Sequence, residues 1–270
     1  MNKMTDERIA LLGAICGDIV GSTREWRRIK KLDFELLPPR SRVTDDTVMT
    51  CAVAEWLMNR DADLTSIMQQ WGLKYINAGY GHMFIRWLTN AAPKPYNSFG
   101  NGSAMRVSPV GWVADTIEET MELAKATAEV SHNHPEGVKG AQSVAAAIFL
   151  ARIGHSKEEI KEFIEREFPS YNLRRCLDEI RPNYRFDSSC QGSVPESIIA
   201  FLESTDYESA IRNAISLGGD ADTMAAVSGS IAAAFYKEIP DEIATGCMNL
   251  LSDDILQSVD NFAQYIRKIA

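Results

Sequence analysis

The chain is 270 residues long, 45% hydrophobic and 24% charged, a composition that suits a globular protein with enough apolar surface for one large core. Its formal net charge of -9 excludes a general polyanion-binding surface, because nonspecific nucleic-acid binding needs clustered Lys and Arg. No stretch approaches the ~20 apolar residues that cross a bilayer.

Taken in chain order, the pattern is helical almost throughout. Residues 5–21 carry Ile9, Leu12, Ile15, Cys16 and Ile19 at three- and four-residue spacing. Lys3 precedes the apolar stretch Ile9 to Cys16, but Glu7, Arg8 and Asp18 bracket it without a convincing cleavage site, so a secretory leader is not expected. The basic run Arg24 to Lys31, mixed with Glu25 and Trp26, reads as a solvated helix end or loop. Further helices are predicted over 45–60, 64–77 and 82–90. Residues 93–113, rich in Gly and Asn, read as a long ordered loop. Helices then follow near 117–130, 137–153, 157–167, 172–180, 193–203, 207–216, 222–236, 240–250 and 253–268. Strand signals are nearly absent, and tandem repeats and low-complexity linkers are not found in the sequence. The fold class expected is all-α, a compact helical bundle forming one domain over 1–270. Gln142–Ala151 and Thr223–Tyr236 are rich in Ala, Ser and Gly and read as deeply buried helices whose backbones approach their neighbours closely. Five cysteines with no CxxC and no even framework point to a reducing compartment, and the protein is expected to be cytoplasmic.

Two acidic, threonine-bearing clusters stand at predicted helix starts: Thr44-Asp45-Asp46-Thr47 and Gly218-Gly219-Asp220-Ala221-Asp222-Thr223. Each alone is explained by helix capping, since Asp, Ser and Thr stabilise a first turn by hydrogen bonding and dipole complementarity. Together they suggest a carboxylate centre for hard cations such as Mg2+ or Mn2+, with no Cys/His cluster competing for that role. Phe99-Gly100-Asn101-Gly102-Ser103-Ala104 is either a tight turn or a loop whose backbone amides hold an anion. Tyr80 and Phe99, beside glycines, are candidates for a face that stacks on a base, although both also suit a core.

These segments, with Gly13-Ala14-Ile15-Cys16-Gly17-Asp18-Ile19-Val20-Gly21-Ser22, Glu25 just after it, Arg106, and Ser131-His132-Asn133-His134-Pro135, resemble in order and spacing the ADP-ribosylglycohydrolase superfamily, the group that includes the dinitrogen-reductase-activating glycohydrolases. The resemblance spans roughly residues 10–236. It implies an orthogonal all-α fold with two Mg2+ or Mn2+ ions, hydrolysing the bond from the anomeric carbon of ADP-ribose to an acceptor. Thr44, Asp45 and Asp46 match the family's first ligand group, and Asp220, Asp222 and Thr223 the second, with Asp222 as the bridge. Glu25 matches an acidic residue over the metals and substrate, its alternative being a surface partner for Arg27 or Arg28. His132 matches a substrate-side histidine and is expected to donate a hydrogen bond to ribose or diphosphate; His134 reads as structural rather than as a ligand.

The chemistry of ribosyl transfer needs a water beneath the anomeric carbon and a group to take its proton. Asp45 or Asp46 is the first candidate for that base and Glu25 the alternative. Gly100, Asn101, Gly102 and Ser103 are expected at the diphosphate. The expected substrate is an ADP-ribosylated protein side chain, arginine first, with ADP-ribose as product and no nucleic-acid or membrane partner. A small-molecule conjugate such as O-acetyl-ADP-ribose is the enzymatic alternative, and a catalytically silent ADP-ribose binder or crystallin-like structural protein the non-enzymatic one. The motifs read the ADP-ribose half, so the acceptor is not legible in them.

Overall fold

A computed structural model describes residues 7–269, and among them the chain forms fifteen α-helices and no sheet. They are α1 (Ile9–Gly21), α2 (Asp45–Met58), α3 (Leu64–Lys74), α4 (His82–Leu88), α5 (Gly102–Met105), α6 (Val110–Val113), α7 (Ile117–Glu129), α8 (Pro135–Arg152), α9 (Lys157–Glu167), α10 (Leu177–Ile180), α11 (Cys190–Leu202), α12 (Tyr207–Ser216), α13 (Ala221–Tyr236), α14 (Asp241–Met248) and α15 (Asp253–Ile269). The all-α expectation is met, and α9 and α12 have the predicted bounds. Residues 5–6 of the first predicted helix lie outside the described residues.

Many starts follow from side chains that take up orphan amides. Asp63 accepts from Thr65 and Ser66 ahead of α3, Thr116 from Glu119 ahead of α7, and Ser156 and Glu159 close a reciprocal capping box on α9. His134 caps α8 through its ring, Nδ1 accepting from the Glu136 amide at 3.1 Å, and Pro135 fills the first helical position. That is a structural role for His134.

Two predicted segments come out differently. Residues 93–113 are not all loop: Met105, Val107, Val110 and Trp112 are buried, and the backbone they carry inside satisfies its polar groups as the single turns α5 and α6. Residues 172–180 are helical only in α10, because the Asn172 side chain accepts from the Arg174 amide and Glu165 takes the Leu173 amide, pulling that stretch into a turn. The basic run after α1 is a loop, as expected, with Arg27 and Arg28 exposed.

At the centre, every residue of α1 is buried and α13 is buried from Ala221 to Ala234. These helices lie backbone to backbone. A Cβ on Gly17 would fall 2.2 Å from the Ala225 carbonyl oxygen, and one on Gly21 would fall 2.4 Å from that of Ala221. The close approach brings Asp18 and the end of α1 beside the first turn of α13. Helix α8 is buried along Ser143–Ala151, as its composition predicts, and packs with α11 and α13 in the same core. A smaller apolar cluster joins α2, α3 and α4 around Met49, Met68 and Trp87.

Candidate active site

The start of α2 is fixed from below by one buried carboxylate. Asp18 accepts from the Thr44 amide (3.0 Å), the Thr44 hydroxyl (2.6 Å), the Thr47 amide (3.2 Å) and the Thr47 hydroxyl (2.5 Å). A fully buried Asp is tolerable only with such a shell. Burial raises its pKa and the four donors work against that rise. Thr44 Oγ1 also accepts from the Asp46 amide at 3.3 Å, so its capping role is real. With its proton committed to Asp18, what this oxygen offers the cleft is a lone pair.

The start of α13 tells the two readings of the second cluster apart. Asp220 stands at the cap position but its side chain caps no amide. Its Oδ2 instead accepts from Nδ2 of Asn101 at 2.8 Å, an Asn that also donates to Ser193 at 3.3 Å. Asp222 Oδ1 accepts from the Thr223 amide at 3.0 Å, and the Thr223 hydroxyl reaches Asp46 Oδ2 at 3.2 Å. The two clusters are therefore neighbours across a single hydrogen bond.

Thr44, Asp45, Asp46, Asp220, Asp222 and Thr223 all line one cleft of about 760 Å³, a size that suits a nucleotide-like ligand. The carboxyls are crowded. Burial first, and then the Asp222 charge, raise the pKa values of Asp45 and Asp46; burial and then Asp220 raise that of Asp222; burial pushes Asp220 up to about 6. Among the described residues, Oδ1 of Asp46 is buried without a hydrogen-bond partner. Among the described residues no group of three or more His, Cys, Asp or Glu side chains already stands in cation-holding geometry. The six donors are gathered rather than closed on a preformed shell. Their chemistry nevertheless fits hard cations: an orphaned carboxylate oxygen, mutual repulsion that a positive ion relieves, and hydroxyls with their lone pairs available.

The other expected residues divide by position. Glu25 is half-buried and lines the cleft, and among the described residues it forms no ion pair with Arg27 or Arg28. Burial and then Asp222 push it up to about 7, with Arg42 and Arg28 opposing. Phe99 is exposed at the cleft mouth, its ring edge-on to His134 at 5.4 Å, and keeps a face for stacking. Tyr80 lines the cleft but belongs to the core: it packs on Phe84 at 5.7 Å, and its buried hydroxyl lacks a partner among the described residues. His132 lines the cleft and is nearly fully buried.

In the glycine-rich loop, Gly100 and Asn101 do not present free amides, since these donate to Ser98 Oγ (3.1 Å) and the Ser188 carbonyl (2.8 Å). Ser103 points away from the cleft and donates to the Gly137 carbonyl at 2.6 Å. Gly102 has no left-handed backbone; its missing Cβ makes room for His132, whose Nε2 would lie 2.9 Å from such an atom. The Gly218-Gly219 pair likewise approaches protein. Gly218 has φ +65°, and a Cβ on Gly219 would meet the Tyr184 ring at 2.4 Å.

Three contributions escaped the sequence reading. Asp18 was visible as a lone carboxylate in an apolar helix, which is itself a reason to look for buried partners. Arg42 adds a cation to the cleft, and its position two residues before Thr44 was the available clue. The segment Phe186–Ser189 forms a wall of the cleft, pinned by the antiparallel bridge between Gly100 and Ser189. No local pattern announces that pairing.

The family model for ADP-ribosylglycohydrolase matches residues 2–269. Human ADP-ribosylhydrolase ARH3 is 26% identical, over 92% of this chain and 91% of its own length. ADP-ribosylarginine hydrolase Tri1 of Pseudomonas putida is 26% identical, over 84% and 69%. A solved structure titled ADP-ribosylglycohydrolase-related protein complex superposes with a TM-score of 0.70, covering 98% of each chain at 24% identity, a likeness of fold.

Proposed function

The chain belongs to the ADP-ribosylglycohydrolase family, and from that premise we propose that it is a metal-dependent hydrolase releasing ADP-ribose from a modified protein side chain, arginine first. One observation carries the reading: clusters far apart in the chain meet as a single carboxylate and hydroxyl face in a cleft large enough for ADP-ribose. Arginine is favoured as acceptor by the name of Tri1 among the relatives. The intact acidic sets argue against a silent binder, because loss of ligands is the simplest route to silence.

Thr44, Asp45, Asp46, Asp220, Asp222 and Thr223 would hold two Mg2+ or Mn2+ ions, which when bound supply charge to orient ribose hydroxyls and acidify a water. The protein's own groups do the rest. Asp18 and Asn101 hold Thr44 and Asp220 in place. Asp45 or Asp46, with Glu25 as the alternative, takes the proton of the water that attacks the anomeric carbon. The bond to the acceptor nitrogen breaks through an oxocarbenium-like state, and that nitrogen leaves with a proton drawn from solvent, to which the carboxylate returns the one it took from the water, so that the elements of one water are divided between ADP-ribose and the acceptor. Phe99 offers its exposed face to the adenine, and His132 a hydrogen bond to the ribose-diphosphate.

The deciding experiment is a panel of Arg-, Ser- and Thr-linked ADP-ribose together with O-acetyl-ADP-ribose, each with and without Mg2+ or Mn2+. Metal-dependent release of ADP-ribose from the arginine conjugate is expected. Turnover of O-acetyl-ADP-ribose alone would move the acceptor to a small molecule, and binding of ADP-ribose with no turnover of any conjugate would leave a silent binder.

A further inference from the structure

Arg106 is wholly buried, yet it lines the same cleft as the acidic clusters. Its Nη2 donates to the Thr127 carbonyl at 2.6 Å and to Ser131 Oγ at 2.9 Å, while Nε and Nη1 are buried without partners among the described residues. Ser131 Oγ in turn lies 2.8 Å from Nδ1 of His132, and Ser131 is also wholly buried.

The proton positions in this chain of groups follow from what each can do. A guanidinium only donates, so Arg106 occupies a lone pair of the Ser131 oxygen. Among the described residues the hydroxyl proton of Ser131 then has one hydrogen-bond acceptor, Nδ1 of His132. A proton on Nδ1 would instead leave the serine hydrogen buried and unaccepted, an arrangement folded proteins avoid. We infer that Arg106 and Ser131 are positioning residues that fix the proton of His132 on Nε2, so that this nitrogen faces the cleft as a hydrogen-bond donor to an oxygen of the ribose-diphosphate.

Four further observations agree. Nε2 stands against the glycine-rich loop, 3.7 Å from where a Cβ on Gly100 would lie and 2.9 Å from one on Gly102. Among the described residues it makes no hydrogen bond of its own, so its donor is free for a ligand. The imidazole is steadied by Phe84 and Tyr96, with centroids at 6.2 and 5.7 Å. Burial, and then the positive charge of Arg106, lower the His132 pKa well below its ordinary value, so the ring is a neutral donor and not a general acid.

The identity of the accepting oxygen rests on the ADP-ribose reading above; the tautomer does not. The test therefore begins without ligand. In full-length protein labelled with 15N-histidine, long-range proton–nitrogen correlations report each ring nitrogen, and His132→Gln assigns the His132 signals among the four histidines. Near neutral pH an unprotonated Nδ1 and a protonated Nε2 are expected. Ser131→Ala should mix the tautomers and weaken ADP-ribose binding about tenfold, the scale of one lost alignment, and Ser131→Thr, which keeps the hydroxyl, should restore both. Arg106 is too deeply buried for its variants to be relied on to fold, so the Ser131 pair carries the test. A protonated Nδ1 in the parent, or a tautomer unchanged in Ser131→Ala, would overturn the inference. A parent with the expected tautomer that fails to bind ADP-ribose would uphold the relay and overturn the proposed function instead.

Discussion

The hydroxyl of Thr223 donates to Oδ2 of Asp46 across 3.2 Å, joining the first turn of α13 to the first turn of α2 although the two residues are 177 positions apart. Because α1 lies backbone to backbone on α13 and its Asp18 holds Thr44 and Thr47, both first turns are anchored to the same central pair of helices. The precision such a site requires thus comes from core packing, not from the loops that precede each cluster.

Asp220→Asn and Asp222→Asn are expected to lose activity by well over a hundredfold with little change in fold. Asp220 caps no amide with its side chain, and an Asn at 222 keeps an oxygen for the Thr223 amide, so helix α13 does not depend on either charge. A metal ligand does, and removing even an outer-shell partner of a metal commonly lowers affinity or activity about 10–100-fold. Turnover near the parent's in both variants at saturating metal, with circular dichroism unchanged, would remove the acidic clusters from the mechanism.

Chelation should lower the melting temperature as well as activity. A cation that binds only the folded state stabilises it by about 2.7 kcal/mol at a hundredfold excess over its dissociation constant, and its removal restores the repulsion that, after burial, raises the pKa values of Asp45, Asp46 and Asp222. Thermal melts with EDTA, and after Mg2+ or Mn2+ is added back, read this directly. If neither melting temperature nor activity responds, the site holds no functional cation.

Asp18→Asn separates support from ligation. One carboxylate oxygen becomes an NH2 facing threonine donors, leaving buried groups unpaired at about 1–3 kcal/mol each. The expected result is a lower melting temperature even in EDTA, together with metal affinity reduced about 10–100-fold. The Asp222→Asn variant should lack the first effect, and a stability equal to the parent's in Asp18→Asn would show that the α2 start is held by other contacts.

Much of this arrangement was legible in the sequence. The helical period located nearly every long helix because apolar faces repeat within each of them, and the clusters at 44–47 and 218–223 stood out as carboxylates where a helix begins. The one-turn helices α5 and α6 were hidden, since four residues are too few to show a period and their form answers to burial. Gly102 lines the cleft as expected, but the direction of the Ser103 side chain and the neighbour that Gly102 makes room for were hidden for a related reason. In a loop the direction of a side chain is set by distant partners, here Gly137 and His132, which no local pattern reveals. The relay from Arg106 to His132 also needs three-dimensional neighbours, because Arg106 meets Ser131 across 25 positions.

Acid should weaken the tie between α15 and α3 in a defined window. Burial raises the Asp254 pKa, but Lys74, Ser252 (2.6 Å) and the Tyr75 hydroxyl outweigh it and hold this carboxyl well below the usual range. A folded-state pKa below the unfolded one, about 3.9, gives stability that is present above that value and is lost as pH falls toward the folded-state pKa. Asp254→Asn should therefore be less stable than the parent near neutral pH, by no more than about 1 kcal/mol for a pair whose lysine is largely exposed. The difference in denaturant midpoint should shrink below about pH 4. A difference that persists unchanged into acid would assign the effect to packing.

Gly102→Val is expected to weaken ADP-ribose binding through His132 rather than through backbone strain. The backbone of Gly102 is not left-handed, so an L side chain is conformationally acceptable there, but its Cβ would sit 2.9 Å from Nε2 and 3.2 Å from Cε1 of the imidazole. The ring is hemmed in by Phe84 and Tyr96 and tethered at Nδ1 to Ser131, so it moves only by breaking that contact. Valine adds branches to the same clash, and Gly102→Ala should give the weaker form of one effect. Calorimetric titration of ADP-ribose into folded, metal-loaded variants should show a graded loss, about tenfold or more for valine, where each tenfold is about 1.4 kcal/mol. Equal affinity in the parent and Gly102→Val, with helicity preserved, would mean that His132 does not touch the ligand and that the diphosphate is held elsewhere in the cleft.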